Sequence, residues 1–202
     1  MNDHAKEWDE RYASSEHLWI AEPDPALVEA ASGLGVGRCL DIGAGEGRNS
    51  LWLASRGWDI TAVDYSKVAL DRFGDALSAR GLHGQLIDGD IRDVAGDLGE
   101  FDLVIIANIH PGLSDRGELY KVARSLLLPG GVLFLIGHHK DSFGIAGPPD
   151  LDRLLDEAEM RDQFPDFEVI QLKKVVDVSD FGHSPAPSLV FVARKPKTSD
   201  TD

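Results

Sequence analysis

The sequence is poor in cysteine and has no long apolar run. Its 202 residues include one cysteine, Cys39, so a disulfide or a cysteine-based metal centre within the chain is excluded. No stretch approaches the ~20 consecutive apolar residues of a membrane span. The first residues, MNDHAKEWDERY, lack the apolar run of a secretory signal. We therefore expect a soluble cytoplasmic protein with no membrane partner.

Positive charge is also scarce. The 35 acidic residues outnumber the 20 basic ones, which gives a formal net charge of -15. Such an excess repels a polyphosphate backbone unless a basic stripe opposes it, and the short RKPKT near the end does not form one. We expect no nucleic-acid partner and a small-molecule substrate, and the sequence leaves the oligomeric state open.

Apolar runs of strand length alternate with amphipathic stretches of helical length, as in a parallel sheet covered by helices on both faces. The predicted helices are 49–56, 67–80 and 116–128. After Gly137, two β-rich runs joined by a polar loop predict an antiparallel hairpin. The fold class is therefore α/β and doubly wound. The five strands expected before the hairpin are RCLDIG, DITAVDY, GQLIDGD, FDLVIIAN and GVLFLIG.

The chain shows neither an internal repeat nor a Gly/Ser-rich linker, and its length suits one hydrophobic core. We expect a single domain over residues 1–202. Its parts are a helical extension over 1–36, a core over 37–196 and a flexible tail over 197–202. The extension carries the large side chains of Trp8, Tyr12 and Trp19.

The stretch CLDIGAGEGRNSLWLA runs from a predicted strand through three glycines into a predicted helix. Such a turn puts unhindered backbone at the carboxyl edge of the sheet, where open α/β folds bind ligands. The dinucleotide fingerprint G-x-G-x-x-G needs a glycine where Arg48 stands, which argues against an NAD-linked oxidoreductase. The turn also lacks the Gly-Lys-Ser/Thr end of a phosphate-binding P-loop.

Acidic residues stand at the ends of three successive predicted strands. Asp41, two residues before the first glycine, would face a cationic group rather than a phosphate. Asp64 is placed like the carboxylate that holds a ribose diol in nucleotide folds. Asp90 ends the third strand, with Tyr65 and Ile91 as apolar neighbours at this edge. This set suits an adenosine that carries a cationic sulfur and an amino-acid tail, which describes S-adenosylmethionine.

These motifs resemble those of the class I S-adenosylmethionine-dependent methyltransferases. LDIGAGEGRNSLWLA is similar to their first motif, VDYS to their second-strand end, GDIRD to their adenine-binding turn, and LLLPGGVLFLIG to their fifth-strand segment. WDERY and GRNSLWLA resemble the tellurite-resistance type, a group of small-molecule methyltransferases. GHHKDSFGIAGPPDLDRLL resembles a pattern of one subgroup, HH…GGPPDPDRLL, with Ala146 in place of one glycine of its GG pair.

The resemblance implies seven strands in the order 3-2-1-4-5-7-6, with the last one antiparallel. It also implies that Gly43 and Gly45 lie against the methionine part, Asp41 near its amino group, and Asp64 on the ribose hydroxyls. Asp90 and Ile91 would lie at the adenine. The full set of expected cofactor contacts is Tyr12, Asp41, Gly43, Ala44, Gly45, Asp64, Tyr65, Asp90, Ile91 and Asn108.

Methyl transfer from a sulfonium is an in-line displacement that needs a nucleophile held close and sometimes a base. Asn108 and His110 follow the fourth strand, and His138 and His139 follow the fifth. His110 or His139 is the candidate catalytic base, since imidazole takes a proton near neutral pH. The alternative is that these histidines cap strand ends by hydrogen bonding.

The run HHKD also raises the question of a metal site. Adjacent histidines on a strand point to opposite faces, so only one of the pair, with Asp141, could share an ion. We predict no metal site.

Trp8 and Tyr12 are four residues apart, on one face of a helix. We expect that face to form a lid in which Tyr12 touches the cofactor or substrate. The alternative is that these aromatic side chains only pack into the core and hold the extension in place.

The predicted function is an S-adenosylmethionine-dependent methyltransferase that acts on a thiol, phenol, amine or metalloid oxyanion. One alternative is a non-catalytic module that binds S-adenosylmethionine. The other is an NAD-linked oxidoreductase.

Overall fold

The computed structural model describes residues 3–17, 21–177 and 185–197. Trp19 and residues 198–202 of the predicted tail lie outside these ranges. The strands are β1 Arg38–Ile42, β2 Asp59–Asp64, β3 Gln85–Asp88, β4 Phe101–Ala107, β5 Leu127–His138, β6 Glu168–Asp177 and β7 Ala186–Arg194. The helices are α1 Asp3–Ala13, α2 Pro25–Ala31, α3 Arg48–Ser55, α4 Lys67–Ala79, α5 Ile91–Val94, α6 Leu113–Ser125 and α7 Glu157–Gln163. Short 3₁₀ helices cover Ala95–Asp97, Lys140–Ser142 and Leu151–Arg153.

The seven strands form one sheet in the order β3-β2-β1-β4-β5-β7-β6. β1 pairs with β2, β2 with β3, and β4 with β5 in parallel, whereas β7 is antiparallel to both β5 and β6. The predicted fold class, strand order and terminal antiparallel hairpin are therefore confirmed.

Burial along the strands explains why their sequences are nearly continuous apolar runs. In β4, residues Leu103 to Ile106 are at most 2% exposed, and in β5 the same holds for Leu133 to Ile136. Strands of a parallel sheet that is covered on both faces need apolar side chains on both sides, so no alternation with polar residues appears.

One predicted helix ends earlier than expected. The apolar pattern predicted a helix over 116–128, but α6 ends at Ser125 and β5 begins at Leu127, which pairs with Phe101. Pro129 disfavours the helical conformation at Leu128. Leu127 and Leu128, which the pattern places in the helix, therefore open the strand.

The described chain divides into two compact units, Met1–Gly99 and Glu100–Asp202. The first, here the N-terminal unit, holds β1 to β3 and α1 to α5. The second, here the C-terminal unit, holds β4 to β7, α6 and α7. The single-domain assignment stays a prediction. Within the ranges that the structure covers, every helix is too short or too polar to cross a membrane.

Candidate functional site

The glycine turn of the N-terminal unit is left-handed at all three glycines. The φ angles are 69° at Gly43, 55° at Gly45 and 76° at Gly47, a region that L side chains rarely adopt. A Cβ on Gly47 would lie 2.3 Å from the ring of Phe73, and one on Gly45 would lie 2.5 Å from the hydroxyl of Tyr12. Both the backbone and its neighbours therefore require glycine.

Asp41, at the end of β1, lies beneath this turn. Its side chain is 2% exposed, and the Ser50 hydroxyl donates a hydrogen bond to its Oδ2 at 2.7 Å. Burial raises the pKa of Asp41 to about 7; the Ser50 hydrogen bond opposes this rise, and the charge of Asp64 adds to it. Near neutral pH the carboxyl is therefore poised between its two protonation states.

Asp64, at the end of β2, holds the turn in place. Its Oδ2 accepts the N–H of Gly45 at 2.8 Å, and its Oδ1 accepts the N–H of Ser66 at 2.8 Å. Burial raises the pKa of Asp64, and these two N–H groups counteract the rise. Each carboxylate oxygen has two lone pairs, so Asp64 keeps the capacity to accept hydrogen bonds from a diol.

Asp90 belongs to a polar cluster at the start of α5. The Tyr65 hydroxyl donates to its Oδ2 at 2.7 Å, and the Arg92 side chain and N–H donate to its Oδ1 at 2.9 Å each. Burial acts to raise the pKa of Asp90, but the Arg92 hydrogen bonds outweigh it and lower the pKa to about 2. Asp90 is thus an ionised helix cap, with the buried side chain of Ile91 next to it.

Tyr12 lies against the glycine turn. It is 4% exposed, its ring lies 6.0 Å from that of Trp8, and its hydroxyl approaches Gly45. α1 therefore covers the turn at Gly45, whereas contact of Tyr12 with a cofactor stays a prediction. Ala44 accepts the N–H of Gly47 at 2.9 Å and so closes the turn.

In the C-terminal unit, His110 supports the end of β5. Its Nε2 accepts the backbone N–H of His138 at 2.9 Å, and the two rings stack with centroids 5.2 Å apart. Burial and the neighbouring His138 lower the pKa of His110 to about 3, so the ring is neutral at physiological pH. The His110 ring also forms a hydrogen bond with the backbone of Asn108. This geometry gives His110 a capping role, and its catalytic role stays a prediction.

His139 is also embedded in its own loop. It is 5% exposed, its Nδ1 accepts the N–H of Asp141 at 3.0 Å, and its Nε2 lies 3.0 Å from Oε2 of Glu157. Asp141 in turn accepts a hydrogen bond from Lys174 at 2.7 Å. Catalysis by His139 likewise stays a prediction.

In the part of the chain that the structure describes, no three His, Cys, Asp or Glu side chains are placed to hold a metal ion.

Asn108, directly after β4, is the one non-glycine residue with a positive φ, 57°, among the described residues. Asparagine tolerates this conformation better than most side chains. Its N–H donates to the carbonyl of Ile136 at 2.8 Å, which ties the end of β4 to β5. The structure thus shows a backbone role for Asn108, and its contact with a cofactor stays a prediction.

The sequence analysis missed two residues that shape the loops of this unit. A Cβ on Gly147, where φ is 86°, would lie 2.6 Å from the ring of His138. Arg116 is 1% exposed and donates to both carboxylate oxygens of Glu159, at 2.6 and 2.8 Å, and to the carbonyls of Pro111 and Asp152. Gly147 could have been found from its motif, but nothing in the sequence marks Arg116 as buried.

Comparison with known proteins finds a matching family model and several similar relatives. Residues 39–131 match the family model described as a methyltransferase domain. The ribosomal RNA small subunit methyltransferase C of Alcanivorax borkumensis is 30% identical over 135 residues, which cover 61% of this chain and 40% of that protein. The tRNA 5-carboxymethoxyuridine methyltransferase of Escherichia coli is 33% identical over 102 residues, 49% of this chain and 39% of that one.

The chain thus spans about two fifths of the length of these curated relatives. Among solved structures, TehB from Haemophilus influenzae has the same fold, with a TM-score of 0.72 at 18% identity over 95% of this chain and 67% of that one.

These relatives correct one expectation. The acidic composition predicted a small-molecule substrate and no nucleic-acid partner, but two relatives that share the matched region are named for the methylation of ribosomal and transfer RNA. The inference from charge was wrong because the net charge of a whole chain does not describe the local field at a binding surface.

Proposed function

We propose that the chain is a class I S-adenosylmethionine-dependent methyltransferase, which transfers a methyl group from S-adenosylmethionine to an acceptor. The observation that carries the proposal is the Asp64 carboxylate at the glycine turn. Two main-chain N–H groups, those of Gly45 and Ser66, fix its orientation at 2.8 Å each. A carboxylate that is fixed in this way before a ligand arrives costs little further ordering on binding.

The chemistry of the side chains at this end of the N-terminal unit fits this cofactor. Asp64 would accept hydrogen bonds from the ribose hydroxyls, and Ile91, 5% exposed, offers an apolar contact for the adenine. Asp41 would pair as a carboxylate with the positively charged amino group of the methionine part, because a ligand cation favours the ionised form of a nearby carboxyl. The glycine turn, free of Cβ atoms, would let the methionine part approach the backbone.

S-adenosylmethionine, once bound, supplies a methyl group on a cationic sulfur. The residues of this chain then have to hold the acceptor in line with that group and keep water away from it. Tyr12, which lies against Gly45, and Trp8, whose ring lies beside that of Tyr12, would exclude water on the side of α1. No covalent bond between enzyme and methyl group is required.

The test is a methyl-transfer assay with S-adenosylmethionine labelled in its methyl group. Ribosomal RNA, transfer RNA and a low-molecular-weight extract are supplied as separate acceptor fractions. We expect label in at least one fraction, with an equal amount of S-adenosylhomocysteine released. Binding without product in any fraction would instead identify a non-catalytic module.

Asp64→Ala provides the residue-level test. Loss of hydrogen bonds to a charged group should weaken cofactor binding by about 1.5–3 kcal/mol while the protein stays folded. Asp75→Ala is the matched control, since Asp75 is an exposed carboxylate on α4 of the same unit. Equal affinities of the two variants would remove Asp64 from the ribose site.

A further inference from the structure

Asp9 connects α1 to the first turn of α4. Its Oδ1 accepts the Ser66 hydroxyl at 2.7 Å and the N–H of Val68 at 3.0 Å. Ser66 is the N-cap of α4, and its own Oγ accepts the N–H of Ala69 at 3.1 Å. The first N–H groups of a helix have no partner within the helix. Asp9 and Ser66 therefore share the capping of α4, although Asp9 belongs to a distant part of the sequence.

Ser66 also joins Asp9 to the proposed cofactor carboxylate. The Ser66 N–H donates to Oδ1 of Asp64, and Oδ2 of Asp64 accepts the N–H of Gly45. Tyr12 stands three residues after Asp9 on α1, on the same side of the helix. Its hydroxyl meets Gly45 at the other end of this series of contacts. α1 is thus attached both at the start of α4 and at the glycine turn.

The segment after α1 is held to the same elements. Arg72 of α4 donates to the carbonyl of Ser15 at 2.8 Å and to Oε1 of Glu46 at 2.8 Å. Glu46 lies inside the glycine turn, and its side chain is 14% exposed. The position of α1 and the shape of the turn are therefore fixed by shared residues.

We propose that Asp9 is a positioning residue for cofactor binding. It holds α1 over the glycine turn and keeps Ser66 in the position from which its N–H orients the Asp64 carboxylate. The inference rests on the proposed function, since it concerns the affinity of that site for S-adenosylmethionine. A protein whose binding-competent arrangement is only fractionally populated binds its ligand more weakly by that fraction. Loss of the Asp9 contacts lowers the population in which α1 is docked, and the apparent affinity falls with it.

The experiment compares three variants by calorimetric titration with S-adenosylmethionine. Asp9→Ala removes both hydrogen bonds and should weaken binding by roughly tenfold. This is the low end of the effect expected when hydrogen bonds to a charged group are lost. Asp9→Asn keeps an oxygen that accepts from Ser66 and Val68, so we expect it to restore most of the affinity. Glu10→Ala removes one negative charge from the same helix at an exposed position, where its Oε1 lies 3.8 Å from Nζ of the exposed Lys6, and should bind like the wild type.

Two further readouts separate positioning from general damage. Hydrogen exchange should show faster exchange of α1 and of residues 64–68 in Asp9→Ala, with the amides of β4 and β5 unchanged. In turnover assays the KM for S-adenosylmethionine should rise, whereas kcat at saturating cofactor should stay near the wild-type value.

The proposal is overturned if Asp9→Ala binds the cofactor as tightly as Glu10→Ala, or if Asp9→Asn is as weak as Asp9→Ala. It is also overturned if kcat falls while affinity is kept. A wild-type protein that does not bind S-adenosylmethionine at all would instead contradict the proposed function, so the two failures are distinct.

Discussion

The two units use polar residues at strand ends in different ways. In the N-terminal unit, Asp64 accepts two backbone N–H groups and still has lone pairs for a ligand. In the C-terminal unit, His139 has a partner at each ring nitrogen and His110 holds the backbone of His138. A carboxylate has about four acceptor sites, whereas an imidazole has two nitrogens. Polar residues at or near strand ends therefore keep acceptor capacity at Asp64, whereas the two histidines use ring nitrogens to hold their own loops.

Substitution of Arg116 tests the framework character of the C-terminal unit most severely. Arg116→Met leaves Glu159 and the carbonyls of Pro111 and Asp152 without their donor. Removal of one partner from a buried ion pair costs about 3–5 kcal/mol. Urea denaturation should show a loss of this size in the free energy of unfolding.

Lys121→Met is the matched control for that measurement. Lys121 lies on the same helix and pairs with Glu118 at 2.7 Å, but its side chain is 72% exposed. Exposed pairs contribute at most about 1 kcal/mol. If both variants lose the same stability, the loops around Arg116 do not depend on it.

Alanine substitutions of left-handed glycines compare the stability of the two units at similar backbone strain. Gly147→Ala and Gly47→Ala each place a methyl group into a ring, that of His138 at 2.6 Å or of Phe73 at 2.3 Å. We expect each to destabilise the protein by about 2–4 kcal/mol, from left-handed backbone strain and overpacking together.

The controls have the same backbone without the neighbour. Gly144 and Gly81 have φ angles of 76° and 64°, and nothing lies within 4 Å of a Cβ at either position. Their alanine variants should lose only the strain, about 1–2 kcal/mol in thermal unfolding. A test variant that is no worse than its control would show that the ring beside it can move away.

The pH dependence of stability should have opposite signs in the two units. Burial raises the pKa of Asp41 from 3.8 to about 7, so the native state binds the extra proton, and its contribution to stability is lost as pH rises between these values. The expected loss from pH 5 to pH 7 is roughly 2 kcal/mol. Asp41→Asn should abolish this slope in denaturation curves. A wild-type slope that persists in the variant would assign it to another group.

His110 shows the reverse dependence. Burial and the neighbouring His138 lower its pKa from 6.5 to about 3, so its contribution to stability is complete above pH 6.5 and is lost as pH falls toward 3. Titration of the imidazole resonances by NMR should leave His110 neutral across pH 5–8. A midpoint near 6.5 would mean that the ring is solvated and does not hold His138.

The fold and the positions of the glycine turn and of Asp64 could be predicted because they depend on local patterns. Alternating runs, the glycine turn and Asp64 at the end of β2 all follow from sequence spacing, and the strand order followed from the resemblance. The contacts of Asp9 with Ser66 and of Arg116 with Glu159 could not be predicted, since each joins residues more than 40 positions apart. The exclusion of nucleic acid failed because total charge says little about a local surface.

The central claim is that the N-terminal unit binds S-adenosylmethionine, and a calorimetric titration of the wild-type protein tests it directly. S-adenosylmethionine should bind with a micromolar Kd and raise the melting temperature, because a ligand of the native state stabilises it by mass action. NAD, titrated under the same conditions, should give no heat of binding. Binding of NAD together with no binding of S-adenosylmethionine would contradict the account.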